Sequence, residues 1–269
     1  MAGSDSPVLF KPIFKERIWG GRNLAASFGK KLPANKRIGE SWEIVDRPEA
    51  QSIVREGPLA GRSLHDLWVN FREKLFGVVP DAPRFPLLIK LLDAQEKLSL
   101  QVHPPPEIAE SLGGEAKTEF WYVFAAEPNA EIFVGLRKSM TRDQFDDALH
   151  SGTIADCVHA IRTKNGDAIF LPSGRFHAIG AGNILVEVQQ NSDTTYRVFD
   201  WNRVDDQGSG DNFMWIRRCN ASISMTWLPS RLHQVVNYWC DMNFSKCRNG
   251  VSMLSVQSRR SGNLPLFCA

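Results

Sequence analysis

The residues leading to position 103 alternate between apolar and polar side chains with a period of two. The apolar set is Leu98, Leu100 and Val102, and the polar set is Ser99, Gln101 and His103. Successive side chains on a β-strand point to opposite faces of the sheet, so this pattern predicts a half-buried strand. Gln101 and His103 then project side by side from its polar face. The apolar run at residues 87–92, just upstream, predicts a buried strand.

The same pattern along the rest of the chain predicts many short strands and few helices. Further strands or strand pairs are predicted at residues 7–14, 37–54, 119–124, 130–134, 184–190 and 194–199. Helices are predicted from Ser63 to Phe76 and from Thr141 to Ser151, each capped by its first residue, with a short helix at 104–112 and a mixed segment at 154–161. Turns are predicted at Ile18–Gly21 and, as a hairpin, at Asn165–Asp167. This order favours a mainly β fold, a barrel or sandwich with appended helices.

Composition narrows the classes of partner. The chain has 269 residues, 43% of them hydrophobic, enough for one large or two modest domains. Its 32 basic and 30 acidic residues leave a net charge of +2, which gives no support for binding to nucleic acid or to a membrane surface. No apolar run reaches the length of a membrane span (about 18 residues), and no secretory signal pattern is seen. The 5 cysteines are irregularly spaced and form a poor disulfide framework, so we expect a protein of the reducing cytoplasm.

Two further residues complete a possible metal site around the first strand. Glu119 opens a later predicted strand, and His177 follows a Ser-Gly turn on another. Each residue taken singly is more often an ordinary hydrogen-bonded residue, so the hypothesis depends on these strands converging. Two histidines and a carboxylate, with Gln101 and His103 on one face, suit Zn²⁺ with open positions for water or substrate, and they also suit Fe²⁺.

Several longer motifs carry a resemblance to a known family. They are IWGG (18–21), IGESWE (38–43), QVHPP (101–105), AKTEFWYV (116–123), LPSGRFHAIG (171–180) and LVEVQQNSDTTYRVFDWNR (185–203). In this order they resemble the type I mannose-6-phosphate isomerases, specifically the short bacterial form, from about Pro7 to Gly208. The resemblance implies a zinc-dependent cupin-type β-barrel, or jelly roll, that interconverts mannose 6-phosphate and fructose 6-phosphate.

The resemblance also implies roles for individual residues. It implies one Zn²⁺ per chain held by His103, Glu119 and His177, with Gln101 as a possible fourth ligand. Arg197, Glu187 and Lys117 are the candidate catalytic residues, and Trp19, Lys90, Ser99 and Gln101 are the candidate substrate-binding residues. Glu40 and Trp42 either border the pocket or pack beside it, and we favour packing for Trp42.

These residue types suit an aldose–ketose isomerisation, which moves a proton between C1 and C2 through an enediol. The reaction needs a Lewis acid for the developing oxyanion, a base for the proton and a clamp for the phosphate. Arginine and lysine suit the phosphate, and Arg197 could instead stabilise the enediolate. Glu187 is the candidate for proton transfer. The alternative for Glu187 is an ordinary solvated position on an alternating strand, and the alternative for Lys117 is an ordinary surface lysine.

The sequence changes character after Gly208. Four of the 5 cysteines lie there, and neither helical nor strand periodicity is visible. Translated one base out of frame, Met214–Trp215–Ile216 must encode Val and Asp, because Met and Trp each have one codon. Shifted in this way, residues 211–227 (DNFMWIRRCNASISMTW) can encode RQLHVDQALQCIDFNDV, which looks like the family's own continuation. We therefore predict a cupin-type catalytic domain at 7–208 and, after a one-base slip near Gln207–Gly210, an out-of-frame tail at 209–269 in place of a second β-rich domain. A genuinely divergent tail is the rival interpretation.

Two other functions stay open at this point. The chain could be a metal-binding cupin that only binds a sugar or sugar phosphate, made inactive by the loss of its second domain. The chain could also be a 2-His-1-carboxylate iron oxygenase, although only the ligand types favour that function. The predicted partner is a small-molecule sugar phosphate, without nucleic acid, membrane or an obligate protein partner. Because a missing domain would normally cover apolar surface, we also expect lowered solubility.

Overall fold

The computed structural model describes residues 7–137, 140–201, 203 and 254–255 of the chain. The strands are β1 (Ile13–Gly21), β2 (Ile38–Ile44), β3 (Asp46–Arg47), β4 (Ala50–Gln51), β5 (Leu87–Ala94), β6 (Leu100–Val102), β7 (Glu119–Ala126), β8 (Glu131–Leu136), β9 (Val158–Arg162), β10 (Asp167–Leu171), β11 (His177–Ile179), β12 (Asn183–Gln190), β13 (Tyr196–Phe199) and β14 (Leu254–Ser255). The helices are α1 (Asn23–Phe28), α2 (Leu64–Asn70), α3 (Arg72–Phe76), α4 (Pro106–Ala109) and α5 (Arg142–Ser151), with a 3₁₀ turn at Ile154–Cys157. The predicted mainly β class is confirmed.

Within this part of the chain the strands form three antiparallel sheets. The seven-stranded sheet has the order β1-β2-β5-β12-β7-β10-β14, the five-stranded sheet has the order β13-β6-β11-β8-β9, and β3 pairs with β4. Strands β5, β7 and β10 lie in the seven-stranded sheet, whereas β6, β8 and β11, which follow them, lie in the five-stranded one. The chain therefore crosses repeatedly between two sheets, which brings residues distant in sequence onto facing surfaces.

The main core lies between the two larger sheets. One buried cluster joins Trp121 and Leu185 of the seven-stranded sheet to Ile132 and Ile179 of the five-stranded sheet. A second cluster packs the five-stranded sheet against the helical region around Phe145. The inner face of each sheet is therefore dry. Polar groups on it lose their hydration, which costs free energy unless the protein provides hydrogen-bond partners.

The outer face of the seven-stranded sheet is strongly aromatic. On β7 the side chains of Glu119, Trp121 and Val123 are buried, whereas those of the alternate residues are exposed. The exposed aromatic residues on β7 and β10 are Phe120, Tyr122, Phe124 and Phe170. Phe170 lies directly opposite Phe120 in the β10–β7 register. We call these four residues the aromatic face.

The predicted turn at Ile18–Gly21 is wrong, because these residues form the end of β1. The pairing of β1 with β2 is irregular between Glu16 and Gly21. A Cβ on Gly20 would meet the Gly39 nitrogen at 2.3 Å, so the glycine serves the close approach of two strands rather than a turn. The strand predicted from Pro7 also begins later, at Ile13.

The predicted hairpin at Asn165 is wrong for a topological reason. The turn exists, and Gly166 there has a φ of 90°. However, β9 before it pairs with β8, while β10 after it pairs with β7 in the other sheet. The turn is therefore a crossing between sheets. Local turn chemistry cannot distinguish such a crossing from a hairpin.

The helix predictions were right about the caps and less accurate about lengths. Ser63 Oγ accepts a hydrogen bond from Asp66 N at 3.0 Å, and Thr141 Oγ1 accepts one from Gln144 N at 3.3 Å. The first predicted helix is interrupted at Phe71, whose φ of −133° separates α2 from α3. The helix predicted at 104–112 is the short α4.

No helix in the described residues is long and apolar enough to cross a membrane. The predicted out-of-frame tail lies outside the described residues, apart from β14. That strand pairs with Asp167 and Ala168 of β10.

Candidate active site

Three site residues form a row across the five-stranded sheet. His177 on β11 and Arg197 on β13 both lie opposite Gln101 on β6. Directly opposed residues of antiparallel strands project from the same face, so all three point to one side of the sheet. Gln101 Nε2 lies 3.3 Å from His177 Nε2, and a half-turn of the amide would present its oxygen instead. The Arg197 side chain is exposed.

Glu119 reaches this row from the seven-stranded sheet. Its Oε1 lies 3.2 Å from His103 Nε2, and its Oε2 lies 3.4 Å from His177 Nε2. One ligand-type atom from each of these residues can be chosen so that all lie within 4.8 Å of one another. All three residues are about 1% exposed. The convergence predicted from separate strands is therefore present.

Each histidine is oriented by a backbone carbonyl. His103 Nδ1–H donates to the Thr194 carbonyl at 2.9 Å, and His177 Nδ1–H donates to the Arg175 carbonyl at 2.9 Å. A carbonyl can only accept, so Nδ1 carries the hydrogen and Nε2 keeps its lone pair in the neutral ring. Burial, then the Lys117 charge, lowers the pKa of His103 to about 3, and burial lowers the pKa of His177. Both rings are therefore neutral and present Nε2 to Glu119.

The carboxylate of Glu119 is buried and incompletely partnered. Lys117 Nζ lies 2.7 Å from its Oε1. Even so, neither oxygen of Glu119, nor His103 Nε2, has a partner with hydrogen-bond geometry in the described part of the chain. Burial opposes ionisation of Glu119, but the Lys117 charge and His103 outweigh it and hold the pKa of this carboxyl well below its usual range.

The donor set fits a bound metal ion. Two neutral imidazoles that present Nε2 lone pairs and an ionised carboxylate are ligands that divalent transition metals prefer. Leaving such groups buried without partners costs free energy, and coordination would satisfy them together. His103, Glu119 and His177 would hold the ion, and Gln101 is placed to be a fourth ligand.

A second polar row crosses the inner face of the seven-stranded sheet beside this cluster. Lys90 lies opposite both Trp42 and Glu187, and Glu187 lies opposite Trp121. Trp121 Nε1–H donates to Glu187 Oε2 at 2.9 Å, and its ring packs edge-on against His177 at 5.4 Å between centroids. Glu187 is diagonal to Glu119 across β12 and β7, a separation of about 7–8 Å between backbone positions.

The pKa values of Glu187 and Lys90 are both raised. Burial raises the pKa of Glu187, and the Glu119 charge raises it further. Burial opposes the charge on Lys90, but Glu187 and Glu40 outweigh it and raise the pKa of the ammonium. A carboxylate with a raised pKa is a stronger base than an ordinary one, which is the property a proton-transfer residue needs.

Glu40 completes the row on the side away from the metal cluster. Trp42 Nε1–H donates to its Oε2 at 2.6 Å, and Arg17 Nε donates to its Oε1 at 2.7 Å. Burial opposes its ionisation, but Lys90, Arg17 and the indole outweigh it and lower its pKa to about 2. Trp42 is therefore both a packing residue and a hydrogen-bond donor.

Two predicted substrate-binding residues, Trp19 and Ser99, have no polar side-chain link to the metal-site cluster in the described residues. Trp19 is half-buried on β1 and packs against the core between the sheets. Ser99 is half-buried just before β6. None of the side-chain hydrogen bonds or ion pairs in the described residues links either one to the His103–Glu119–His177 cluster.

Three contributors were missed by sequence reasoning. The carbonyls of Thr194 and Arg175 orient the histidines, and Trp121 links His177 to Glu187. Backbone carbonyls carry no residue-type signal, so the sequence could not reveal the first two. Trp121 shares a strand face with Glu119 at a spacing of two, and that alternation was a usable signal.

A two-sheet β-barrel that holds a buried His–Glu–His cluster on its inner face defines a cupin with a site suited to a metal ion. The model of the family "Phosphomannose isomerase type I, catalytic domain" matches residues 8–132. The Bacillus subtilis protein YvyI is 40% identical over 221 residues, which cover 81% of this chain and 69% of YvyI. The chain belongs to the type I phosphomannose isomerase family.

Other relatives agree with this assignment. The mannose-6-phosphate isomerase ManA of Bacillus subtilis is 43% identical over 204 residues, 75% of this chain and 63% of ManA. The mannose 6-phosphate isomerase structure from Bacillus subtilis superposes with a TM-score of 0.69 at 40% identity, covering 77% of this chain and 65% of that one. A zinc-bound mannose 6-phosphate isomerase shares the fold at 17% identity, with a TM-score of 0.57, over 71% of this chain and 70% of that one. The predicted cupin-type fold is confirmed, and the chain spans less than two thirds of the length of ManA.

Proposed function

We propose that this chain is a zinc-dependent isomerase that interconverts mannose 6-phosphate and fructose 6-phosphate in the cytoplasm. The observation that carries the proposal is the buried His103–Glu119–His177 cluster with both Nδ1 atoms anchored, in a chain of the phosphomannose isomerase family. The names of the relatives supply the substrate class. The geometry supplies the reason why this chain could perform the reaction.

The proposed ligands are His103, Glu119, His177 and Gln101, with one zinc ion per chain. Zinc bound there would supply Lewis-acid charge that polarises the oxygens on C1 and C2 of the sugar. The inner faces of the two sheets exclude water from this position, which strengthens every charge interaction inside it. Water exclusion also protects the enediol from side reactions.

Glu187 is our candidate for the proton transfer between carbons. It would take the proton from C2 of the aldose, while the carbonyl oxygen on C1 gains a proton to form the enediol. Returning the proton to C1, with loss of the proton on the C2 oxygen, gives the ketose. The raised pKa of Glu187 favours this role, and Trp121 and Lys90 hold the carboxylate in place.

The remaining polar groups are assigned to charge and substrate. Lys117, beside Glu119, would stabilise the negative charge that develops on the substrate oxygens. Arg197 is exposed on the metal-facing side of the five-stranded sheet and would grip the phosphate or the enediolate. We assign Lys90, Ser99 and Trp19 to substrate binding around these groups, and Lys90 would act through its charge.

The test is turnover of mannose 6-phosphate by the purified chain, measured with and without added zinc. We expect activity that a chelator abolishes and zinc restores. Glu187→Gln should lower kcat by about 100-fold or more, within the range attributed to a general base. His159→Ala changes an exposed histidine on β9 and is the matched control for loss of a histidine.

Two results would contradict the proposal, and a third would change the assignment of one residue. Binding of mannose 6-phosphate without turnover by the zinc-loaded chain would identify the non-catalytic cupin instead. Activity that needs iron and dioxygen would identify an oxygenase. Unchanged kcat in Glu187→Gln would remove that residue from the reaction and leave the rest of the proposal standing.

A further inference from the structure

We propose that Arg47 is a positioning residue that holds together two loops, both of which carry or lead into residues of the proposed metal site. The Glu115 loop (residues 113–118) precedes β7, and the Thr194 loop (residues 191–195) precedes β13. Arg47 itself lies on β3, outside both larger sheets. The inference deepens the proposed function, because it concerns the same site.

Arg47 contacts both loops with one end of its guanidinium. NH1 donates to Glu115 Oε2 at 2.8 Å and to the carbonyl of Asn191 at 2.8 Å. The Arg47 side chain is 12% exposed and that of Glu115 is 41% exposed, so the pair is shielded from water on the arginine side only. Its Nε pairs with Glu49. One half-buried cation therefore bridges two segments that lie far apart in sequence.

The two loops are also joined directly. Glu115 N donates to Thr194 Oγ1 at 3.0 Å, and Ser192 Oγ donates to the Glu115 carbonyl at 3.3 Å. A Cβ on Gly114 would lie 2.7 Å from Thr194 Cγ2, so any larger residue would force the two loops or the Thr194 side chain to shift. The two loops are therefore in close contact, and Arg47 binds the Glu115 side chain of one loop and the Asn191 carbonyl of the other.

Each loop delivers groups to the site. The Glu115 loop leads into Lys117 and Glu119. The Thr194 loop supplies the carbonyl that orients His103 and leads into Arg197. A shift of one loop against the other would therefore change the angle of a proposed ligand and the positions of two proposed catalytic residues together.

Physical reasons favour arginine at this position. A guanidinium offers several N–H groups in a rigid plane, so it can bind a carboxylate and a carbonyl at once. A lysine ammonium at the same position would keep the charge but not the fixed geometry. Loss of a group that orients a metal ligand typically weakens metal affinity by about 10–100-fold. Misplacement of about 1 Å can cost about 100-fold in rate.

The test compares zinc affinity, kinetics and stability in Arg47→Ala, Arg47→Lys and the wild type. Zinc affinity is measured by competition with a chromophoric chelator, which does not depend on turnover. We expect Arg47→Ala to weaken zinc binding by about 10-fold or more and to lower kcat more than it raises KM, with Arg47→Lys in between. Arg55→Ala is the matched control, because Arg55 is exposed and pairs with Glu56 at the surface.

A purely structural role for Arg47 predicts a different result. Arg47→Ala would then lower stability while the folded fraction keeps wild-type zinc affinity and kcat, and that result overturns the inference. If Arg47→Ala does not fold, Gly114→Ala tests the same contact between the loops. Unchanged zinc affinity in Gly114→Ala would also overturn the inference.

The outcome is separable from that of the proposed function. A wild-type chain that takes up no zinc refutes both. Zinc uptake without isomerase activity refutes the proposed function alone, and zinc uptake that is insensitive to Arg47→Ala and Gly114→Ala refutes only the loop-positioning role.

Discussion

Lys90 Nζ lies 3.3 Å from Glu187 Oε1, and both side chains are almost completely buried on the inner face of the seven-stranded sheet. Lys90 also lies 3.9 Å from Glu40 Oε2, so one ammonium faces two carboxylates. Removing one partner from such a group leaves the other charges buried without compensation. The row is therefore both a reactive environment and a point of vulnerability in the fold.

Lys90→Met should be strongly destabilising. Methionine keeps most of the side-chain volume but leaves Glu40 and Glu187 without their shared cation. We expect a loss of about 3–5 kcal/mol in the free energy of unfolding, the usual cost of breaking a buried ion pair on one side. Denaturation by urea measures it. Lys74→Met, on the short helix α3, is the control, and a similar loss in both variants would contradict the importance of the buried row.

Glu40 makes the stability of the protein depend on pH. Its pKa falls from 4.5 to about 2 on folding, so the folded state holds the ionised form more tightly than the unfolded state does. The resulting stabilisation is complete above the unfolded pKa and is lost as the pH falls from about 5 towards 2. By linkage it amounts to about 3 kcal/mol.

Glu40→Gln should therefore flatten the acid limb of the stability curve between pH 5 and pH 2. Stability measured by denaturant titration at several pH values tests this. Glu56→Gln, which removes an exposed carboxylate paired with Arg55, should leave the acid limb unchanged. An acid limb that is equally steep in Glu40→Gln and in the wild type would show that other carboxylates dominate.

The candidate site was predictable from sequence where the signal is local. Alternation put Gln101 and His103 on one face, and the start of a strand marked Glu119. The partners across the sheets were not predictable, because the register of β6 with β11 and β13 depends on crossings between sheets. The same limitation explains the hairpin wrongly predicted at Asn165.

Glycines show the second limit. Ile18–Gly21 looked like a turn because glycine permits one. Gly20 instead permits a close approach to the backbone of Gly39, which depends on how β1 pairs with β2 and not on the local sequence. Gly114 is similar, since its neighbour is Thr194. Arg47 gave no signal either, because its partners on the two loops lie 68 and 144 residues away.

Metal removal should lower stability as well as activity. Zinc that binds the folded chain and not the unfolded one adds about 2.7 kcal/mol at a concentration of 100 times its Kd. We expect a higher melting temperature with zinc, reversed by a chelator, in the wild type and in His159→Ala. In His103→Ala the effect of zinc should disappear. A zinc-dependent rise that persists in His103→Ala would place the ion elsewhere.

The aromatic face should limit solubility. Phe120 and Phe170 are paired across β7 and β10 on the outer side of the seven-stranded sheet, and both are substantially exposed. Contiguous apolar surface of this kind promotes association between molecules. Threonine keeps a high β-propensity, so Phe120→Thr with Phe170→Thr removes the apolar surface while preserving the strands.

We expect the double variant to bind less of a fluorescent hydrophobic dye and to stay soluble at higher concentration, with little change in zinc affinity. Val78→Thr changes an isolated exposed apolar residue and should alter neither property. The two phenylalanines point away from the inner face that carries Glu119 and Trp121. Loss of zinc affinity in the double variant would therefore mean that the outer face supports the site, whereas unchanged dye binding would mean that another part of the chain covers these rings.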